Sequence, residues 1–341
     1  MLKLQRIPVL CAILWAAALI AVSAQQPPAG ANEAPWWAYS FLTPPKPGEA
    51  AMDCEPKPIA CAVPRPAPQV DETPMSLPGA PKQYSPKQAS EWYGPADWYP
   101  DLHPPMPAIV AKGNEANGVR ACILCHHPLG KGRPENAPLA GLPSAYFMQA
   151  IDDFRTGKRN SFDPRKPNTK EMIGIAKAIT DEEAKAAADY YAAVTFTTRG
   201  PVVETDEVPA FFQRSLMYFP EPGDRKVPLG MRLIEMPENQ HQAEYLRHPN
   251  AVWISYAPKG SIAKGEAIAK SCTVCHGPDL AGRGNVPGIA GRTPSYMIRQ
   301  MYDMQQGTRQ TMLMKAVVAR MTVEDMVSVA AYLASIGAPA K

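Results

Sequence analysis

Cys122-Ile123-Leu124-Cys125-His126 and, 150 residues further on, Cys272-Thr273-Val274-Cys275-His276 decide how this chain of 341 residues is read. C-x-x-C-H is the pattern of covalent haem attachment. Two thiols add across the two vinyl groups of one porphyrin, and a two-residue spacer lets both sulfurs reach the same edge. The histidine that follows turns its imidazole beneath the iron as the proximal axial ligand. A zinc ribbon would set its cysteine pairs about 15–20 residues apart, and a thioredoxin-like pair would need a βαβ setting that these flanks lack. The expected cofactors are therefore two covalently attached haem c groups. Cys122, Cys125, Cys272 and Cys275 would tether them, with His126 and His276 on the irons.

Working outward, Cys122–Arg159 aligns with Cys272–Arg309 without a gap, and twelve of the 38 positions are identical. They include Pro128/Pro278, Gly132/Gly282, Ala140-Gly141/Ala290-Gly291, Tyr146/Tyr296, Asp153/Asp303 and Arg159/Arg309. A second block, Met172–Tyr191 against Met314–Leu333, aligns at an offset of 142, so the first copy holds eight extra residues before Met172. Duplication of a haem-binding module accounts for this pattern. Both copies end on a helix signature: Thr180 with Glu183, and Thr322 with Asp325 ahead of an apolar face at Val323, Met326, Val327, Ala330 and Leu333. Tyr146–Arg155 and Tyr296–Gln306 read as further helices stopped by Gly157 and Gly307. Each unit is then a few helices around one haem, which supplies apolar core that an 80-residue domain otherwise struggles to gather.

The sixth iron ligand separates a carrier from a catalyst. A thioether favours Fe(II) and suits electron transfer, whereas an open position suits catalysis or gas binding. Met172 and Met314 open the second repeat block in matching register and are the expected ligands. Met312, two residues from Met314, is the competitor in the second copy. His127 is expected at the surface, and His103, His241 and His248, which have no repeat partner, as structural or exposed residues. A backbone carbonyl should accept the proximal histidine's other N–H. Pro287 and Pro138 lie 11 and 12 residues after their histidines, so which residue supplies that carbonyl stays open.

Lys3 and Arg6, the apolar run Ile7–Val22 and the tripeptide Val22-Ser23-Ala24 follow the layout of a secretory signal cut after Ala24. The alternative is an uncleaved anchor helix. The cut leaves 33 basic against 32 acidic residues, which argues against an electrostatic nucleic-acid binder. Cys54 and Cys61, with no histidine behind them, read as a local disulfide of an oxidising compartment, or else as free thiols. Residues 25–110 hold 20 of the 39 prolines, yet also Trp36, Trp37, Trp92 and Trp98. Solvated Pro-rich segments are poor in aromatics, so an irregular arm anchored along the haem units is expected. Lys131, Arg133, Arg283, Arg292 and Arg309 lie near the haem segments and could steer an acidic partner.

The C-x-x-C-H pairs, Ala-Gly with tyrosine five residues on, D-x-x-x-G-x-R, the late methionine and the Ala-x-Tyr terminal helix resemble the two-domain dihaem cytochromes c of the cytochrome c4 type. The resemblance covers roughly 120–200 and 260–341. It implies a mainly α protein with two tandem class I cytochrome c domains related by approximate twofold symmetry, each with His/Met ligation. The expected organisation is a signal peptide (1–24), an irregular Pro/Trp-rich extension (25–105), a first haem domain (106–200), a connector (201–258) and a second haem domain (259–341). Val202–Glu204 and Met231–Met236 of the connector could form short strands. Gly113, Asn114, Asn117 and Gly118 predict a short or broken opening helix in the first domain. The implied role is a periplasmic electron carrier, not an enzyme, between a dehydrogenase or quinol-oxidising complex and a terminal acceptor. Its partners would be redox proteins, with peripheral association at a membrane-bound respiratory complex. The alternatives are a cytochrome subunit of such a dehydrogenase complex, or a dihaem oxidoreductase or peroxidase.

Overall fold

A computed structural model describes residues 33–50 and 71–337. The leader (1–24) and the Cys54/Cys61 pair lie outside the described residues. The fold is mainly α, in two helical units joined by a connector of short strands. The arm carries a 3-10 turn, Trp36–Tyr39, and α1 (Pro86–Ala89), which Ser85 and Gln88 close with a capping box. The first unit holds α2 (Ala108–Ala111), α3 (Cys122–His126), α4 (Ser144–Arg155), α5 (Pro167–Ala178) and α6 (Asp181–Ala193). The connector supplies β1 (Val202–Glu204), β2 (Glu207–Pro209), β3 (Phe211–Arg214), β4 (Met217–Pro220), β5 (Lys226–Pro228), β6 (Ile234–Pro237), α7 (Gln240–Glu244) and β7 (Trp253–Ala257). The second unit follows with α8 (Ser261–Ala269), α9 (Thr273–His276), the hairpin β8 (Gly282–Arg283) and β9 (Val286–Pro287), α10 (Pro294–Gln306), α11 (Met312–Val318) and α12 (Val323–Ser335).

The two units differ at their openings. In the second, α8 crosses α12 so closely that a Cβ on Gly265 would stand 1.9 Å from the Ser328 carbonyl oxygen; only glycine permits that crossing. In the first, the opening helix is the single turn α2. The chain then folds back on itself, with Asn114 and Val119 bridged and Gly113 at φ +73°. Both terminal helices start on capping boxes, Thr180 with Glu183 and Thr322 with Asp325.

β7 pairs with β1 in parallel and with β6 antiparallel, forming a three-stranded sheet. The strand on the 231–236 stretch lies at its end, Ile234–Pro237. The core of the second unit continues into this connector and the arm: Trp37, Tyr39, Leu233 and Ile234 share one buried cluster with Ile298, Met326 and Val327. The first unit has its own cluster around Phe147, Ile151, Ala187 and Tyr191. Trp98 is buried, and its indole N–H donates to the Leu246 carbonyl at 2.9 Å, fixing the arm to the connector. The extra residues of the first copy sit under the arm as well. Phe162 stacks on Trp36 at 5.2 Å and meets Tyr302 edge-on at 4.9 Å.

Candidate haem sites

In the first unit, Cys122, Cys125, His126 and Met172 line one cavity. α3 is too short to contribute stability of its own, and packing positions it: Ile123 and Leu124 are buried, and the Cys122 thiol reaches the Ile109 carbonyl at 3.5 Å. Nδ1 of His126 meets the Ala137 carbonyl oxygen at 2.8 Å, which leaves Nε2 free for the cavity. The carbonyl comes from Ala137, not from the neighbouring Pro138. Burial lowers the imidazole's affinity for protons, and the Arg159 charge works in the same direction. Burial also pushes the Cys122 thiol up to about 12, with Cys125 adding to the effect. That is opposite to the depressed values of reactive redox thiols.

The chemistry of the lining tests what the cavity accepts. Leu139, Leu142, Phe147 and Ile151 make much of the wall apolar. Lys166 and Asn168 lie on its polar side, and the Lys166 amine and the Asn168 carbonyl oxygen are buried without a hydrogen-bond partner. Burial holds the Lys166 amine well below its ordinary range. Orphaned buried polar atoms are rare, and here they edge an apolar slot beside a histidine nitrogen and a thioether. A flat macrocycle with anionic groups on one edge fits that wall. Among the described residues no three His, Cys, Asp or Glu side chains are grouped to hold a metal ion.

The second unit repeats the arrangement in register. Nδ1 of His276 meets the Pro287 carbonyl oxygen at 2.8 Å, so both carbonyls come 11 residues after their histidines. The ring is buried, Cys272 is half-buried and Cys275 is exposed. Met314 is half-buried and packs, with Cys272, on the core of the second unit. Met312 is 91% exposed. Only one of the two methionines therefore faces inward.

Several side chains stand elsewhere than the sequence suggested. His127 is buried, not at the surface, with neither ring nitrogen partnered. It lies at φ +63°, among the charges of Arg247, Arg133 and Arg199. Of the five basic residues expected to steer a partner, Lys131, Arg133, Arg292 and Arg309 are buried and only Arg283 is exposed. His103 pairs with Asp97 at 3.1 Å, His248 meets the Tyr99 hydroxyl at 2.9 Å, and His241 is exposed.

Residues 110–194 match the cytochrome c family. The thiosulfate dehydrogenase electron acceptor of Thiomonas intermedia is 27% identical over 250 residues, 72% of this chain and 85% of that protein. Cytochrome c4 of Pseudomonas aeruginosa is 35% identical over 77 residues, 22% of this chain and 38% of that one. Among solved structures, thiosulfate dehydrogenase from Marichromatium purpuratum covers 67% of this chain and 39% of its own at 24% identity, with a TM-score of 0.43. Cytochrome c4 of Acidithiobacillus ferrooxidans, also 24% identical, covers 63% of this chain and 98% of its own, with a TM-score of 0.40. The chain is a c-type cytochrome with two covalently bound haem c groups. Within that class it is similar to the dihaem cytochromes c4.

Proposed function

We propose that this chain is a periplasmic electron carrier that takes electrons from a dehydrogenase and passes them to a terminal acceptor, with no substrate bond made or broken on it. Cys122, Cys125, Cys272 and Cys275 tether the two haems; His126 and Met172, and His276 and Met314, hold the irons. When bound, haem stores one electron per iron with little rearrangement, and thioether ligation raises the potential at which it does so. The observation that carries the reading is the repeated constellation. In each unit an imidazole held by a carbonyl 11 residues on is matched by a methionine turned toward the core.

The residues act by orientation. The Ala137 and Pro287 carbonyls each accept the N–H at Nδ1, fixing the tautomer so that Nε2 presents a lone pair. Leu139, Phe147 and Ile151 exclude water from the first site, and the unpartnered Lys166 amine can donate a hydrogen bond to an anionic group at its edge. Two relatives that align over most of this chain are electron acceptors of thiosulfate dehydrogenase, and a third is the cytochrome subunit of a sulfide dehydrogenase. They support a dehydrogenase of reduced sulfur compounds as the donor, with this chain as its partner or subunit. The test is the freshly purified holoprotein: two haems per chain, both low-spin and six-coordinate, titrating in two one-electron steps. A high-spin component, or peroxide turnover by the unmodified protein, would overturn the carrier assignment.

A further inference from the structure

The cavity beside His126 and Met172 is not closed by the first unit alone. Tyr296, Arg299, Gln300 and Asp303 of α10 enter its wall from the second unit, and Tyr39 enters from the arm. Of these five, Asp303 is the carboxylate, and it is 4% exposed. Its Oδ1 accepts from the Tyr39 hydroxyl at 2.7 Å, from the Phe162 N–H at 2.8 Å and, more distantly, from the Thr308 hydroxyl at 3.4 Å. Its Oδ2 meets the Gln300 amide at 3.3 Å. The nearby guanidiniums are engaged elsewhere. Arg299 donates to the Ala38 and Pro134 carbonyls, Arg159 to Tyr296 and Gln300, and Arg309 to Tyr146 and Gln300. The repeat mate, Asp153, is half-buried, accepts from Gln149 of its own helix at 3.0 Å and does not line this cavity. The arm and the extra residues of the first copy therefore make one aspartate of the repeated motif into a buried group on the wall of the opposite unit's cavity.

We infer that Asp303 is the proton acceptor coupled to the first haem, taking up one proton from solvent when that haem gains one electron, with Tyr39 of the arm as the residue that positions it. This rests on the reading above that His126 and Met172 hold an iron in the cavity. One electron on the iron adds one negative charge beside the wall. A proton on Oδ2, the oxygen with the weaker hydrogen bond, removes one, so the net charge behind the wall is unchanged. The groups that face the carboxylate are Tyr39 of the arm, Arg159 and Lys166 of the first unit, and Arg299 and Arg309 of the second. Burial raises the Asp303 carboxyl above its ordinary range; the bonds from Tyr39 and Phe162, and then the charges of Arg299 and Arg159, offset part of that rise. Burial and the Asp303 charge hold the Tyr39 hydroxyl well above 10, so it remains a donor throughout.

The test is a spectroelectrochemical titration of the holoprotein across the acid and neutral range. One of its two one-electron steps, the one that Met172→Ala displaces, should fall in potential as pH rises through the Asp303 range and be flat on either side. The reduced form binds the proton more tightly, about tenfold for a unit charge roughly 10 Å away at an effective dielectric near 20. For a one-electron couple that tenfold separates the two plateaus by about 59 mV. Asp303→Asn keeps an oxygen for Tyr39 and Phe162 to donate to, and should make this step independent of pH while the other step is unchanged. Tyr39→Phe removes one donor from the carboxylate and should move the sloping range up by about one pH unit. Asp153→Asn should alter neither step. In infrared difference spectra, reduction within the sloping range should add a carboxylic-acid C=O band that Asp303→Asn removes. Flat potentials for both haems of the parent protein would overturn the inference, as would a slope that survives Asp303→Asn. A slope that Lys166→Met abolishes and Asp303→Asn retains would give the proton to the buried amine instead. A sloping range unmoved in Tyr39→Phe would remove the arm from the coupling. The haem count and spin state of the same samples score the carrier assignment separately.

Discussion

Arg159 of the first unit donates to the hydroxyl of Tyr296 in the second at 2.8 Å. The repeat-related pair runs the other way, Arg309 donating to the Tyr146 hydroxyl, also at 2.8 Å. Gln300 accepts from both guanidiniums, at 2.9 and 2.8 Å. Next to them the two backbones touch, Asn160 N–H to the Thr308 carbonyl and Gln310 N–H to the Lys158 carbonyl, each at 2.7 Å. Duplicated residues that exchange partners in this way are what an approximate twofold axis between the units produces. Apart from Gln300, whose repeat mate is Ala150, the seam depends on groups present in both copies.

Removing one crossing should be felt across the seam. Hydrogen bonds involving a charged group contribute about 1.5–3 kcal/mol, and both arginines are buried. Arg159→Met and Tyr296→Phe should each lower the urea midpoint of the holoprotein. The double variant should fall short of the sum by about 1–2 kcal/mol, because the two residues share one bond. Additive losses would mean that the contact contributes nothing to stability.

The two methionines of the second unit give a sharper contrast. Met314→Ala should lower the potential of one haem by on the order of 0.1 V or more and introduce a high-spin signal, since a thioether that favours Fe(II) is lost. Met172→Ala should do the same to the other haem. Met312→Ala, at a side chain 91% exposed, should leave both potentials and the spin state unchanged in a spectroelectrochemical titration. A shift with Met312→Ala and none with Met314→Ala would reassign the ligand.

Much of this was readable in the sequence because the repeat compares the chain with itself. The C-x-x-C-H spacing is set by porphyrin chemistry, and Thr180 and Thr322 announce helices through local hydrogen bonds, so neither needs tertiary information. Repeat register favours Met314 over Met312, and because residues two apart on a helix point to nearly opposite sides, packing decides which of them turns inward. The burial of His127, Lys131, Arg133 and Arg292 was illegible for a similar reason. Polar residues on a repeated motif read as surface until another segment covers them: Lys131 meets Asn250 of the connector, and Arg292 lies over the Phe196 ring of the first unit. The two prolines, 11 and 12 residues after their histidines, leave the carbonyl register open in the sequence; the turn geometry keeps the 11-residue spacing and brings Ala137 to that place.

Gly282 controls that carbonyl in the second unit. It lies at φ +100°, and a Cβ there would stand 2.7 Å from both the Val286 carbonyl oxygen and the Gly288 nitrogen, which flank Pro287. Gly282→Ala should therefore displace the β8–β9 turn and weaken the bond between His276 and the Pro287 carbonyl. An accepting carbonyl makes the imidazole a stronger donor and favours Fe(III). Its loss should raise the potential of the second haem, and the strained backbone should lower the melting temperature. A lowered melting temperature with an unmoved potential would separate the turn from the ligand.

Two histidines that hold the arm should give the protein opposite pH responses. His103 loses proton affinity on burial, but its bonds to Asp97 and to the Pro104 carbonyl outweigh this and raise its pKa above 6.5. Its contribution to stability is complete below pH 6.5 and is lost as pH rises through the folded value. His248 is lowered to about 4 by burial and then by the charge of Lys131. Its contribution is complete above 6.5 and is lost as pH falls from 6.5 toward about 4, where the ring must be protonated against Lys131. His248→Gln can still donate to the Tyr99 hydroxyl but does not titrate, so urea midpoints measured between pH 4 and 8 should lose part of their acid decline. His103→Gln should leave the acid limb alone and flatten the response above pH 6.5. An acid limb unchanged in His248→Gln would place the titrating group elsewhere, and the contact of Tyr99 with His248 would then be a packing contact alone.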